Sequence, residues 1–163
     1  MPGNKELFQK YLNPVFVETG SLYGDGIQQA LSAGFKTIYS IESNIDRVAK
    51  CIDRFDTSKV HLVFGKSELV LDKVVNDINK PITFWLDAHN GYNSPLLKEL
   101  EIIKEHYIKT HILLIDDLRD WSIKKCGFDI DILKDRILRI NPNYIFTLED
   151  GYIPNDILVA KII

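Results

Sequence analysis

Cysteine is scarce in this sequence: the 163 residues include only Cys51 and Cys126, which lie far apart and form no Cys-x-x-Cys pair. This spacing does not suit a disulfide framework, and it predicts two reduced thiols in a reducing compartment. No apolar run approaches the roughly 20 residues that a helix needs to cross a bilayer. The first six residues form no apolar signal core, so we expect a cytoplasmic protein that binds no membrane.

Positive charge is not in excess either. The 20 Lys and Arg residues are outnumbered by 23 Asp and Glu residues, and the net charge is −3. A protein that binds nucleic acid through a broad basic face needs a surplus of cations, so we do not expect this class of partner. The remaining composition, 45% hydrophobic and 26% charged, is that of an ordinary globular protein. At this length we expect one domain that covers residues 1–163.

The most informative stretch runs from Val15 to Gly26. Its first five residues, VFVET, predict a short strand, and a turn that contains three glycines follows. Because glycine has no Cβ, the chain can turn sharply here and a ligand can approach the backbone. The residues after Gly26 predict a helix whose free N–H groups and positive dipole end face the same space. Strand, turn and helix together predict a ligand site.

Glu18 adds a negative charge at the carboxyl end of this first strand. A carboxylate repels a pyrophosphate and attracts the ammonium group of an amino-acid ligand. The sign of the charge therefore favours S-adenosylmethionine (SAM) over a dinucleotide. A second acidic residue, Glu42, ends the next predicted strand, 22 residues beyond Gly20.

The two motifs, acidic-x-Gly with further glycines at Glu18-Thr-Gly20 and a single acidic residue at Glu42, resemble those of the class I SAM-dependent methyltransferases. The resemblance implies that Glu42 holds the ribose hydroxyls and that Glu18 lies near the amino-acid end of the cofactor. Around the turn, the residues that it implies in cofactor binding are Glu18, Gly20, Ser21, Tyr23, Gly24 and Gly26. Many members also have an acidic residue after the third strand, which accepts from the adenine amino group. This chain has Lys66 there, so Ser67 and Glu68 are the predicted substitutes.

The rest of the sequence alternates strands and helices. Apolar runs predict further strands at 60–64, 82–87, 111–115, 144–148 and 156–162. Two of the predicted helices should each have a buried apolar stripe. One stripe consists of Ile45, Val48, Ile52 and Phe55, and the other runs from Leu96 to Tyr107. Ser67 is the predicted N-cap of the helix between them.

Five strand–helix alternations predict a parallel sheet with right-handed crossovers. The last two strands are joined by a short polar link, so they should form an antiparallel hairpin. We therefore predict an α/β fold of the three-layer α/β/α, Rossmann-like methyltransferase type. Its sheet should have seven strands, mostly parallel, with a C-terminal antiparallel hairpin. The resemblance covers nearly the whole chain.

Ligands of such sheets bind outside the carboxyl ends of the strands, so the polar residues that end neighbouring strands should converge there. They are Glu18, Glu42, Asp87, His89, Asp116 and Asp117. Any one of them alone is equally well explained as a helix cap. Gathered carboxylates, however, repel one another unless a cation lies among them.

Asp87 and the pair Asp116-Asp117 resemble the acidic residues of the cation-dependent O-methyltransferases, including the macrocin type. The resemblance implies that Asp87, Asp116 and Asp117 bind a divalent cation such as Mg²⁺, which would lower the pKa of an acceptor hydroxyl. It also makes Asp87 and His89 the predicted catalytic residues. His89 departs from the family, which often has an acidic residue there, and a structural histidine is the alternative.

We therefore expect a SAM-dependent methyltransferase that acts on a hydroxyl of a small molecule, with a divalent cation as a possible second cofactor. Two alternatives stay open at this point. One is a SAM-binding module without catalysis; the other is an NAD-dependent oxidoreductase, which Glu42 permits but Glu18 and the final hairpin disfavour. No insertion is large enough to build a lid. Tyr92 and Trp121 should then be exposed at the mouth of the site, which predicts a homo-oligomer.

Overall fold

The computed structural model describes residues 3–89 and 94–163. Its helices are α1 (Lys5–Lys10), α2 (Asp25–Ala33), α3 (Ile45–Arg54), α4 (Ser67–Val75), α5 (Leu96–Glu105), α6 (Ile123–Cys126) and α7 (Ile130–Leu138), with a 3₁₀ helix at Leu118–Asp120. Its strands are β1 (Val15–Thr19), β2 (Ile38–Glu42), β3 (Val60–Phe64), β4 (Ile82–Leu86), β5 (Ile112–Ile115), β6 (Ile145–Glu149) and β7 (Ile157–Lys161).

Within the described residues, seven strands form one sheet in the order β3-β2-β1-β4-β5-β7-β6. The five strands from β3 to β5 are parallel to one another. Strand β7 lies between β5 and β6 and is antiparallel to both. The predicted seven-stranded α/β fold with its final hairpin is therefore confirmed. Because the strand order reverses between β1 and β4, a crevice forms at their carboxyl ends, where ligands of such sheets bind.

Two apolar cores lie on opposite faces of the sheet, because successive side chains of a strand point to opposite faces. One face of β1, which carries Val15 and Val17, packs in the same core as residues of α4, α5 and α7. The other face carries Phe16, which packs in a core with residues of α1, α2 and α3. Three layers result. Among residues 3–89 and 94–163, no helix combines the length and the apolar character that crossing a membrane requires.

The predicted helix faces are partly wrong. Val48 and Phe55 are buried as expected, but Ile45 and Ile52 are exposed, and Cys51 completes the buried face of α3 instead. Tyr107 is 64% exposed because α5 ends at Glu105 and the stripe stops with Ile103. The C-cap of α2 is Gly34, at a φ of 110° that favours glycine.

Candidate functional site

A cavity of about 760 Å³ lies at the carboxyl ends of the first four strands. Its wall is formed by the segments that follow β1, β2, β3 and β4, together with the first turn of α5 and Cys126. Of the predicted site residues, those that line it are Gly20, Glu42, Ser67, Glu68, Asp87 and His89. The strand ends therefore converge on one cavity.

Glu42 joins two of the loops that form this cavity. Its Oε2 accepts from the Leu22 amide at 2.9 Å, and its Oε1 accepts from the Asn44 amide at 2.8 Å. Arg47 lies 3.6 Å from Oε1. A carboxylate offers about four lone-pair sites, so the two amides leave acceptor capacity for ligand hydroxyls on the cavity side.

The turn after β1 depends on two glycines. Gly20 has a φ of 90°, and a Cβ there would lie 2.9 Å from the Asp87 carbonyl oxygen, so a side chain would push β1 and β4 apart. At Gly26, a Cβ would overlap the carboxylate of Glu18. Glycine is therefore needed at both positions, because another part of the protein lies against the backbone at each.

Glu18 lies behind this turn, outside the cavity wall. It is buried, and Oε2 accepts from the Ser40 hydroxyl at 2.5 Å. The Ser21 hydroxyl is in turn 2.5 Å from that of Ser40. Burial raises the pKa of Glu18 to about 7, although the Ser40 hydroxyl opposes the rise. This placement follows from strand alternation, since Glu18 faces the α2 side of the sheet.

The other four residues predicted around the turn also lie off the cavity wall: Ser21, Tyr23, Gly24 and Gly26. Tyr23 is 51% exposed, and the Lys50 ammonium lies 5.3 Å from the centre of its ring. Gly24 is the N-cap of α2 with a φ of 83°. In the structure Gly24 serves as a turn residue, and its role in cofactor binding stays a prediction.

The predicted N-cap at Ser67 is wrong. The N-cap of α4 is Lys66, which makes no side-chain capping hydrogen bond, and Ser67 is the first helical residue. The Ser67 side chain is buried, and its Oγ makes no hydrogen bond within residues 3–89 and 94–163. The hydroxyl is therefore available for another role.

The structure brings Asp87, His89 and Asp117 together. His89 Nε2 is hydrogen-bonded to Asp117 Oδ2, and Asp87 Oδ1 lies 3.9 Å from the same nitrogen. The hydrogen bond to Asp117 raises the pKa of His89, and burial opposes the rise. Burial raises the pKa of Asp87 to about 8, and the nearby carboxylates of Asp116 and Asp117 add to the rise. Burial would also raise the pKa of Asp117, but His89 and Arg119 hold it below its ordinary value.

Asp116 belongs to a second acidic group, with Asp117 and Asp156. Arg119 forms ion pairs with Asp156 and, over 2.6 Å, with Asp117. Asp116 Oδ1 accepts from the Asp117 amide at 2.8 Å, and burial raises the pKa of Asp116 to about 7. A guanidinium therefore already supplies positive charge to this second group.

The donor atoms decide which residues fit the predicted cation. Asp87, His89 and Asp117 each offer one ligand atom, and these atoms lie within 4.8 Å of one another. Two carboxylate oxygens and an imidazole nitrogen suit a divalent cation, Mn²⁺ better than Mg²⁺. Asp116 is not a member of this group of three and is found only in the second group, with Asp117 and Asp156. The residues thus fit a cation on Asp87, His89 and Asp117 better than one on Asp87, Asp116 and Asp117.

The expected exposure of Trp121 is wrong. Trp121 is 8% exposed, its Nε1–H donates to the Asp116 carbonyl at 2.8 Å, and its ring stacks on Phe128. The homo-oligomer prediction loses this support. The other residue on which it rested, Tyr92, lies outside the described residues.

Sequence reasoning missed several residues of the cavity. Arg47, Lys98 and Cys126 line it, although no motif marks them. Sequence reasoning also missed Glu99, which does not line the cavity and is buried in α5 beside Leu96 and Leu100. A charged residue within an apolar helical stripe was the signal that could have identified it.

Comparison of sequences finds no match. No protein-family model matches the chain, and no curated protein matches it either.

Comparison of structures gives a clear result. A Podospora anserina methyltransferase bound to S-adenosylhomocysteine (SAH) superposes with a TM-score of 0.66 at 13% identity, over 98% of this chain and 76% of that protein. A Bacillus cereus O-methyltransferase in complex with SAH gives 0.64 at 13% identity, over 98% and 78%. An rRNA methylase from Streptococcus thermophilus gives 0.59 at 13% identity, over 98% and 94%. These likenesses define the class of fold, which is that of the class I SAM-dependent methyltransferases. The chain described here has this fold in a short form, with the cavity at the expected end of the sheet.

Proposed function

We propose that this chain binds SAM in the cavity and transfers its methyl group to a hydroxyl of a small molecule. The observation that carries the proposal is the convergence, on one cavity, of the Gly20 turn and Glu42 with the group of Asp87, His89 and Asp117. The likeness to SAM-dependent methyltransferases supports the cofactor. Net charge −3 makes a small molecule a better acceptor than RNA.

The strand order supports a specific orientation of the cofactor in the cavity. Gly20 follows β1, Glu42 is the last residue of β2, and Ser67 comes after β3; these three strands are adjacent in the sheet. With the ribose hydroxyls on Glu42, the amino-acid end would lie at the Gly20 turn and the base beside Ser67 and Glu68. The methyl group would then face Asp87 and His89. Glu18 would act on the ammonium group through its charge, from behind the turn.

In the proposed reaction, the acceptor oxygen attacks the methyl carbon, the C–S bond breaks, and SAH leaves with the electron pair. The acceptor must lose a proton, so positioning and deprotonation are the main tasks of the protein. His89 Nε2 is held by Asp117. The imidazole is therefore oriented to take the proton at Nδ1, and Asp117 stabilises the imidazolium that forms. A divalent cation on Asp87, His89 and Asp117 would instead supply Lewis acidity toward the acceptor hydroxyl.

Methyl transfer from labelled SAM to a panel of catechols, flavonoids and sugars tests the proposal, with SAH formation as the readout. We expect turnover of at least one acceptor, and a loss of about 10²–10⁴-fold in His89→Gln, the range for a general base. Asp117→Asn should lose activity too, and the double variant little more than His89→Gln, because the residues act as one unit.

Binding of SAH without any turnover across the panel, which should include an RNA oligonucleotide, would instead favour the SAM-binding module. Binding of NADH but not of SAH would favour the oxidoreductase.

A further inference from the structure

Three buried side-chain oxygens on neighbouring elements lack hydrogen bonds within the described part of the chain. They are Thr19 Oγ1, Ser67 Oγ and Glu99 Oε1. The Glu99 side chain is 1% exposed, and the hydroxyls of Ser67 and Thr19 lie close enough to its carboxyl to lower its pKa, against the larger effect of burial. Buried polar atoms normally have a partner, so this group needs an explanation.

The three residues come from elements that meet on one side of the sheet. Thr19 ends β1, Ser67 begins α4, and Glu99 lies in α5, which packs on α4. Of the three, only Ser67 lines the cavity among the described residues. The Glu99 carboxyl, which the Ser67 hydroxyl approaches, therefore lies off the cavity wall. Its position in the buried stripe of α5 would be filled by an apolar residue if packing alone decided it.

We propose that Glu99 is a positioning residue of the cofactor site, which orients the Ser67 hydroxyl as the acceptor for the 6-amino group of adenine. This inference rests on the proposed function, because the base lies beside Ser67 only if SAM binds as described above. Lys66, at the adjacent position, has no acceptor, and Glu68 is the other candidate on this wall.

The chemistry follows from the two groups. An ionised carboxyl only accepts hydrogen bonds, so the Ser67 hydroxyl would turn its proton toward Glu99 and present a lone pair to the cavity. A lone pair there suits the amino group of adenine and disfavours the carbonyl oxygen of hypoxanthine. Burial raises the pKa of Glu99 to about 7, and the charge of Glu68 adds to the rise. The test is therefore made one to two pH units above that value.

The probes are SAH and S-inosylhomocysteine, which differ at position 6 of the base. We expect native protein to bind SAH more tightly, and we expect Ser67→Ala to reduce this preference by about 3- to 10-fold, the equivalent of one hydrogen bond. Ser67 makes no capping bond, so the variant should fold. Ser43→Ala, another serine of the cavity wall, is the matched control and should leave the preference unchanged.

Glu99→Gln keeps the shape of the side chain but adds an N–H donor. The amide can either accept from the Ser67 hydroxyl or donate to it, so the Ser67 proton is no longer held toward position 99 and this variant should also reduce the preference. The double variant should lose no more than either single one, since a coupled pair is not additive. If Glu99 had only a structural role, Glu99→Gln would weaken the binding of SAH and of S-inosylhomocysteine equally.

The inference would be overturned if Ser67→Ala left the preference unchanged, or if the effect of Glu99→Gln persisted in the Ser67→Ala background. In either case, binding of SAH by the native protein would still support the proposed function. Failure of the native protein to bind SAH at all would overturn both.

Discussion

The backbone amide of Leu22 donates to the carboxylate of Glu42 over 2.9 Å, so the turn after β1 is fixed to the end of β2. The same carboxylate accepts from Asn44 at the start of the segment that leads to α3. Glu42 thus shapes the cavity and also presents acceptor atoms to it.

Glu42→Ala should weaken SAH binding by roughly 1.5–3 kcal/mol, the range for losing hydrogen bonds to a charged group. The loss of two backbone acceptors should also lower the melting temperature. Calorimetric titration and a thermal melt measure the two effects. Glu105→Ala, at an exposed glutamate at the end of α5, is the control and should change neither. Unchanged affinity in Glu42→Ala would remove Glu42 from the cofactor site.

A second prediction concerns the contact between Gly26 and Glu18. Because a Cβ at position 26 would overlap the Glu18 carboxylate, Gly26→Ala should reduce the free energy of unfolding by about 1–3 kcal/mol, the usual cost of overpacking. Urea unfolding measures it. In a Glu18→Ala background, Gly26→Ala should reduce the free energy of unfolding clearly less, because the carboxylate that the new Cβ would overlap is absent. An equal cost in both backgrounds would contradict the contact.

A divalent cation provides a third prediction. The unfolded chain cannot gather the ligands, so Mn²⁺ or Mg²⁺ should raise the melting temperature of the native chain. The shift should vanish in Asp87→Asn and persist in Asp156→Asn, because Asp156 belongs to the second group and is not one of the three proposed ligands. A shift lost in Asp156→Asn but kept in Asp87→Asn would place the cation in the second group. No shift in the native chain would leave His89 as the base without a metal.

A pair of buried histidines at the opposite end of the sheet predicts a pH dependence of stability. His111 Nε2 lies 2.9 Å from His106 Nδ1, and His111 Nδ1 accepts from the Ile82 amide at 3.1 Å. Burial and the neighbouring His106 lower the pKa of His111 to about 3. Folding therefore favours the neutral ring, and this contribution to stability is complete above the unfolded-state pKa of about 6.5. As the pH falls from there toward about 3, it should be lost, by up to about 1.4 kcal/mol per pH unit.

Urea unfolding of the native chain and of His111→Gln, at several pH values, isolates this effect from the carboxyl groups, which are common to both. The native chain should lose its stability advantage over the variant as the pH decreases. His61→Gln, at an exposed histidine of β3, serves as the control. A constant difference between native and His111→Gln would contradict the assignment.

Local patterns in the sequence predicted the sheet well. The strands are nearly continuous apolar runs, and the short polar link between β6 and β7 allowed only a hairpin. Glu42, Asp87 and His89 are predictable because they lie at or just after the carboxyl ends of strands, and these ends must meet. For these residues, position in the chain determines position in the fold.

Contacts that depend on the detailed course of the loops were not predictable in this way. Trp121 is buried because Asp116 and Phe128 surround it, and nothing in its own segment indicates that. Asp117 contacts both His89 and Arg119. These contacts depend on how the loops after β4 and β5 fold. Ser67 begins α4 without capping it, which depends on the course of the chain through Gly65 and Lys66.

The central claim is that the cavity is a SAM site, and calorimetric titration of the native chain with SAH and with NADH tests it most directly. We predict saturable binding of SAH at one molecule per chain and no binding of NADH. Binding of NADH without binding of SAH, or of neither ligand, would contradict the account.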